Sequence, residues 1–132
     1  MSNNLELVEI AVNGTLMRGF ALNPNLLVLG AKFIREDRTA PVYRLWTIGD
    51  KCPAMQRDDT SGASIDLEIW ELPGSALTTL LQKEPPGLCL GKIELVDGSL
   101  VLGILGEAAL TLGQREITSF GGWGNYRKSM QE

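Results

Sequence analysis

Six short apolar segments with the alternation or β-branched content of strands recur along this 132-residue chain. They cover residues 6–12, 31–36, 42–48, 64–72, 88–96 and 99–106. Segments of this length and period favour strands over helices. Asp97-Gly98 separates the last two and predicts a hairpin, because both residues tolerate positive φ. The chain is therefore constrained to a fold in which β-sheet dominates.

Helical spacing is confined to a few segments. The best covers 74–83, where Ser75 can cap the first turn and leucines recur on one face. The prolines at 85–86 end it, since the residue before a proline is pushed out of the helical region. A second short helix is predicted over 122–129, and residues 23–27 add a turn.

Together these elements predict one α+β domain over residues 1–132. One or two flanking helices are too few to cover both faces of an open sheet of six strands. We therefore expect a small mixed sheet curled into a β-barrel. Residues 51–62, which contain a proline, two aspartates and a glycine, are predicted to be a surface loop.

Composition excludes several functions. The chain has no histidine, which rules out a Ser-His-Asp or Cys-His nucleophile and a histidine metal site. Proton transfer must use Glu, Asp, Lys, Tyr or Cys, and no metal or cofactor is expected. A net charge of -4 argues against nucleic acid, and no apolar run reaches the ~18 residues of a membrane helix. Glu6 and Glu9 stand where a signal peptide would be basic, so a cytoplasmic protein is expected.

The turn after the first predicted strand is the leading candidate site. In Asn13-Gly14-Thr15-Leu16-Met17-Arg18-Gly19, two glycines bracket a hydroxyl residue. Such a turn can leave several backbone N–H groups pointing the same way, a geometry that receives small anions or carboxylates. The alternative is an ordinary strand-to-loop turn.

Two glutamates differ in their predicted surroundings. Glu68 lies on the strand face opposite the apolar residues, so we expect it in solvent. Glu84 lies at the end of the helix, where two prolines restrict the path of the backbone, so we expect its carboxylate to be held in a fixed direction. An ordinary helix-end glutamate is the alternative.

Two aromatic segments allow either a structural or a functional interpretation. Tyr43 is either a core tyrosine or a proton carrier. Gly121 and Gly122 lie between Phe120 and Trp123, where glycine permits close backbone approach. This segment is either a plug over the core or a glycine-lined wall of a pocket.

Three separated segments have the character of family motifs. They are Thr39-Ala40-Pro41-Val42-Tyr43-Arg44-Leu45, Glu68-Ile69-Trp70-Glu71-Leu72-Pro73 and Ile117-Thr118-Ser119-Phe120-Gly121-Gly122-Trp123. Together these segments resemble the C-terminal domain of allophanate hydrolase. Their order and spacing match over nearly the whole chain, from Val8 to Tyr126. The resemblance implies the fold of the gamma-glutamyl cyclotransferases, a small mixed barrel whose pocket is floored by a Tyr-Gly-Ser-Leu turn.

The resemblance also implies a place in urea breakdown. In allophanate hydrolase an amidase domain releases ammonia from allophanate, and the C-terminal domain is associated with decarboxylation of the resulting N-carboxycarbamate. This sequence has no amidase signature, so we expect a stand-alone domain, with any amidase partner a separate chain. The expected ligand is a small carboxylate-bearing molecule, and a homodimer is left open.

The turn departs from the family pattern. Asn13 and Thr15 stand where the cyclotransferase turn has tyrosine and serine. Leu16 stands where the allophanate-hydrolase pattern has histidine, and Glu84 falls where the cyclotransferases have their catalytic glutamate. The predicted site is Glu84 and Tyr43 as catalytic residues, with Asn13, Gly14, Thr15, Leu16, Met17, Gly121 and Gly122 contacting the substrate.

Three functions follow as hypotheses. The first is an enzyme of the allophanate-hydrolase type that decarboxylates N-carboxycarbamate. The second is a cyclotransferase with Glu84 as base. The third is a non-catalytic module that binds a separate amidase.

Overall fold

The computed structural model describes residues 6–131, which form eight strands and four helices. The strands are β1 (Leu7–Val12), β2 (Lys32–Arg38), β3 (Tyr43–Ile48), β4 (Cys52–Arg57), β5 (Asp66–Pro73), β6 (Leu88–Glu94), β7 (Leu100–Gly106) and β8 (Arg115–Glu116). The helices are α1 (Asn23–Leu27), α2 (Gly74–Gln82), α3 (Ala108–Thr111) and α4 (Trp123–Ser129), with a 3-10 turn at Thr118–Phe120.

The strands form two sheets. A five-stranded sheet has the order β2-β5-β1-β7-β6, and a three-stranded sheet has the order β4-β3-β8. The pairs are antiparallel except for β1 and β7, which run parallel and are joined by a long crossover. The sheets are in close contact: a Cβ added to Gly106 of β7 would lie 2.7 Å from the Cβ of Ala54 in β4.

The α+β fold with flanking helices is confirmed, whereas a closed barrel is not. Within residues 6–131 the ladder of the larger sheet stops at β2 and β6. Beyond the ends of these edge strands, an isolated antiparallel bridge joins Thr39 to Leu95. The sheet therefore curls until its edges meet at one point, and the smaller sheet packs beside it. A single domain over 1–132 stays a prediction.

Every predicted strand is present, and two further strands, β4 and the two-residue β8, were not predicted. The prediction of a loop over 51–62 is wrong for its first half, which is β4. Pro53 in this strand has no N–H to donate, a feature that argues against a central strand. Because β4 is an edge strand of its sheet, the missing donor leaves no gap in the ladder.

The three predicted helical segments are present as α1, α2 and α4, the short α3 was not predicted, and the cap of α2 differs from the prediction. The predicted helix over 74–83 is α2, which packs Leu77 and Leu80 inward. Pro73, rather than Ser75, is its cap residue, and no side chain caps it. The predicted Asp97-Gly98 hairpin joins β6 and β7, with Gly98 at φ +88°. Among residues 6–131, no helix has the length and apolar character needed to cross a membrane.

Candidate site at the end of the first strand

The turn that follows β1 has bonded carbonyls and free amides. The Gly14 carbonyl accepts from the Met17 N–H at 3.0 Å, and the Thr15 carbonyl accepts from the Leu22 N–H at 3.0 Å. The Leu16 carbonyl accepts from Asn23 Nδ2 at 2.8 Å. No acceptor within residues 6–131 is bonded to the N–H groups of Gly14, Thr15 or Leu16. The turn can therefore offer donors to a bound anion.

Two contacts hold this turn against the rest of the molecule. Asn13 is buried, and its Nδ2 donates to the carbonyl oxygen of Ile104 in β7 at 3.1 Å. A Cβ added to Gly14 would lie 2.5 Å from Cγ of Pro53, far inside van der Waals contact. Glycine is therefore required at position 14 because the proline ring of β4 packs directly on the backbone.

Glu84 shares a small cavity with this turn. It follows the last turn of α2, where its N–H donates to the Leu81 carbonyl at 3.1 Å. The cavity has a volume of about 20 Å³, the room of roughly one water molecule. Its polar lining comes from Asn13 to Leu16, Cys52 and Glu84. Burial raises the pKa of the Glu84 carboxyl, which increases its protonated fraction.

Cys52 is the titratable residue of this cavity that the sequence did not predict. It begins β4, the strand predicted as a loop, so no local pattern placed it near Glu84. Burial, and next the negative charge of Glu84, raise the pKa of the Cys52 thiol. The cavity is thus one in which both titratable groups favour their neutral forms.

Four predicted site residues lie outside this cavity. Met17 lines a second, larger cavity beside Glu68. Tyr43 is buried, and its hydroxyl accepts a hydrogen bond from the Glu94 N–H at 2.9 Å. This hydroxyl is occupied in the core and does not reach the Glu84 cavity.

The glycine pair at 121–122 packs on the start of β5. The Gly121 carbonyl accepts from the Asp66 N–H at 2.8 Å. A Cβ added to Gly122 would lie 3.1 Å from the Cβ of Asp66. The glycines permit this close approach, and the segment covers the core rather than lining the cavity at Glu84.

The expectation that Glu68 faces solvent is wrong. Its side chain is buried, 9% exposed, although it alternates with the apolar residues of β5. β5 lies between β1 and β2, and Arg18 folds across it from the turn after β1. The face opposite the apolar residues is therefore also covered, with the charge of Glu68 paired to a guanidinium.

The two sheets and their flanking helices have the gamma-glutamyl cyclotransferase type of fold. A mouse AIG2-like protein shares this fold, with a TM-score of 0.59 and 22% identity over 79% of this chain and 78% of that one. The chain belongs to the allophanate hydrolase C-terminal domain family, whose model matches residues 8–128.

Relatives occur as short chains and as parts of long ones. A uropathogenic E. coli-specific protein of known structure is 53% identical with a TM-score of 0.92, over 93% of this chain and 97% of that one. Kluyveromyces lactis allophanate hydrolase is 27% identical with a TM-score of 0.90, over 96% of this chain and 22% of that one. Urea amidolyase of Saccharomyces cerevisiae is 23% identical over 95% of this chain, which spans 7% of the length of that enzyme.

Proposed function

We propose that this protein binds N-carboxycarbamate, or a carbamate of similar size, and promotes its decarboxylation in urea and allophanate metabolism. The observation that carries the proposal is that one cavity is lined both by Gly14 to Leu16, whose amides have no acceptor among residues 6–131, and by Glu84. One side offers donors for a carboxylate, and the other offers a proton.

The amides would hold one carboxylate of the substrate. Backbone N–H groups that are already oriented stabilise negative charge without reorganising during the reaction. The cavity has room for about one water molecule, which suits the end of a small carboxylate.

Glu84 would supply the proton that decarboxylation requires. When the C–N bond to the departing carboxylate breaks, CO2 leaves and the electron pair stays on nitrogen. Nitrogen takes the proton of the Glu84 carboxyl, which gives carbamate, and Glu84 then recovers a proton from water. The raised pKa of Glu84 favours the acid form that this step needs. This role replaces the histidine that the family pattern has at the position of Leu16.

A cyclotransferase is the second candidate, because Glu84 faces the turn across the cavity. In that reaction Glu84 would deprotonate an α-amine that attacks a γ-amide carbonyl, with the turn amides receiving the oxyanion. The small volume favours the first candidate, since a γ-glutamyl dipeptide must place both its amine and its amide beside Glu84.

The partner follows from the substrate. N-carboxycarbamate forms when an amidase removes ammonia from allophanate, so we propose that an amidase supplies the substrate. A purely non-catalytic module would bind such an amidase without changing the rate of CO2 release.

The test is CO2 release from N-carboxycarbamate generated in place by an added amidase. We expect the wild-type protein to exceed the rate in buffer and Glu84→Gln to fall to that rate. Cys52→Ala, in the same cavity, is the matched control and should retain turnover. A wild-type rate equal to that of buffer would overturn the proposal. Formation of 5-oxoproline from γ-glutamyl dipeptides would instead support the cyclotransferase.

A further inference from the structure

Glu68 is a buried carboxylate that is hydrogen-bonded to Arg18, near the end of the turn at residues 13–19, which we call the site turn. Its Oε1 accepts from the Arg18 N–H and from Trp70 Nε1, both at 3.0 Å. Its Oε2 accepts from Arg18 Nε at 3.0 Å. Hydrogen bonds to an ionised acceptor are roughly twice as strong as neutral ones. One carboxylate thus holds both the backbone and the side chain of Arg18.

Arg18 is also held by its other neighbours. Its guanidinium carbon lies 3.6 Å from the centre of the Phe33 ring, and its Nη2 lies 2.9 Å from Glu36. Glu36 is 78% exposed, so that pair is a surface ion pair of small energetic value. The Glu68 contact is the buried one, and it alone reaches the backbone N–H of Arg18.

The site turn is therefore fixed at both ends. At its start, the Asn13 side chain donates to β7. At its end, Glu68 of β5 holds Arg18. The free amides of Gly14, Thr15 and Leu16 lie between these two anchors. The bonds accepted by the Thr15 and Leu16 carbonyls hold the middle of the turn to residues 22–23, and the two anchors fix the turn to the sheet, so the direction of the amides depends on both anchors.

We propose that Glu68 is a positioning residue for the candidate site, orienting the turn amides toward the Glu84 cavity by holding Arg18. The expected change in turnover rests on the proposed function, whereas the expected change in the order of the turn does not. Glu68 does not line that cavity, so it acts through Arg18 rather than on substrate. Misplacement of binding groups by about 1 Å can lower a rate up to roughly 100-fold.

The experiment compares Glu68→Gln with Glu36→Gln, which removes the exposed partner of the same arginine. In the free protein, NMR-detected hydrogen exchange of the Arg18, Thr15 and Leu16 amides reports the order of the turn. We expect exchange of the Arg18 amide to rise roughly tenfold in Glu68→Gln, as for loss of a charge-assisted hydrogen bond. Glu36→Gln should stay within about twofold of wild type.

Turnover supplies the second measurement. In Glu68→Gln, kcat/KM for CO2 release should fall roughly tenfold while its pH profile, set by Glu84, keeps its shape. If Glu68→Gln does not fold, Arg18→Lys takes its place; it keeps the backbone bond to Glu68 and weakens only the side-chain pair, so kcat/KM should fall about threefold. Unchanged exchange and turnover in a folded variant would overturn the inference. A wild-type protein without turnover would overturn the proposed function, and the exchange rates alone would then decide whether Glu68 orders the turn.

Discussion

Replacing Gly14 with alanine tests the contact that shapes the candidate site. The new Cβ would lie 2.5 Å from Cγ of Pro53, whereas carbon atoms in contact are ~3.5–4.0 Å apart. The turn and the proline ring must therefore separate by about 1 Å. Neither moves freely, since Pro53 is paired with Thr47 in the β3–β4 ladder and Asn13 anchors the turn to β7.

The expected cost follows from this overpacking. Extra atoms in a filled site cost ~1–3 kcal/mol, and in a domain of this size 1 kcal/mol lowers the Tm by roughly 3–5 °C. Gly14→Ala should therefore melt roughly 3–15 °C below wild type. It should also lose CO2 release, because the displaced amides no longer face Glu84.

The assay is differential scanning calorimetry with two controls. Gly124→Ala lies in α4 with nothing within 4 Å of its new Cβ, and should gain ~0.5–1 kcal/mol. Pro53→Ala removes the ring atoms that clash, so the double variant should melt above Gly14→Ala. A Gly14→Ala protein that melts within about 1 °C of wild type would refute the reasoning. So would a double variant that melts no higher than the single one.

Three further outcomes are expected. Because burial raises the pKa of Glu84, the folded state binds this proton more tightly than the unfolded chain, and stability is lost as pH rises through the folded pKa. In thermal unfolding at pH 7, Glu84→Gln should therefore have a higher Tm than wild type. If the same increase in Tm were found below pH 4.5, the ordinary pKa of the carboxyl, this explanation would be contradicted. Tyr43→Phe removes the acceptor of the Glu94 N–H, so the free energy of unfolding in urea should fall by about 1 kcal/mol. CO2 release should be unchanged, and a loss of turnover would indicate that Tyr43 acts in catalysis. Gly98→Ala places a residue with a Cβ at φ +88° in the hairpin, so the free energy of unfolding should fall by ~1–2 kcal/mol. An unchanged Tm would contradict the positive φ at this position.

Local patterns predicted most of the secondary structure. Alternation gave the positions of six strands, and the prolines at 85–86 gave the end of α2. β4 was missed because Pro53 and low β-propensity hide a strand whose place is set by pairing with β3. Glycine placement predicted the turn as a candidate anion site, and the family resemblance named Glu84 as its counterpart, but neither could tell whether Glu84 faces the turn.

The sequence by itself determined the strand segments, the hairpin and the lack of any histidine for proton transfer. Only the tertiary structure decided which residues share a cavity. It brought Cys52 and Glu84 to the turn at 13–16, and it placed Tyr43 in the core. It also buried Glu68, because a residue's face follows from the strand period but its exposure depends on what packs over that face. In this chain Arg18 covers it, a contact across 50 residues of sequence that no local pattern encodes.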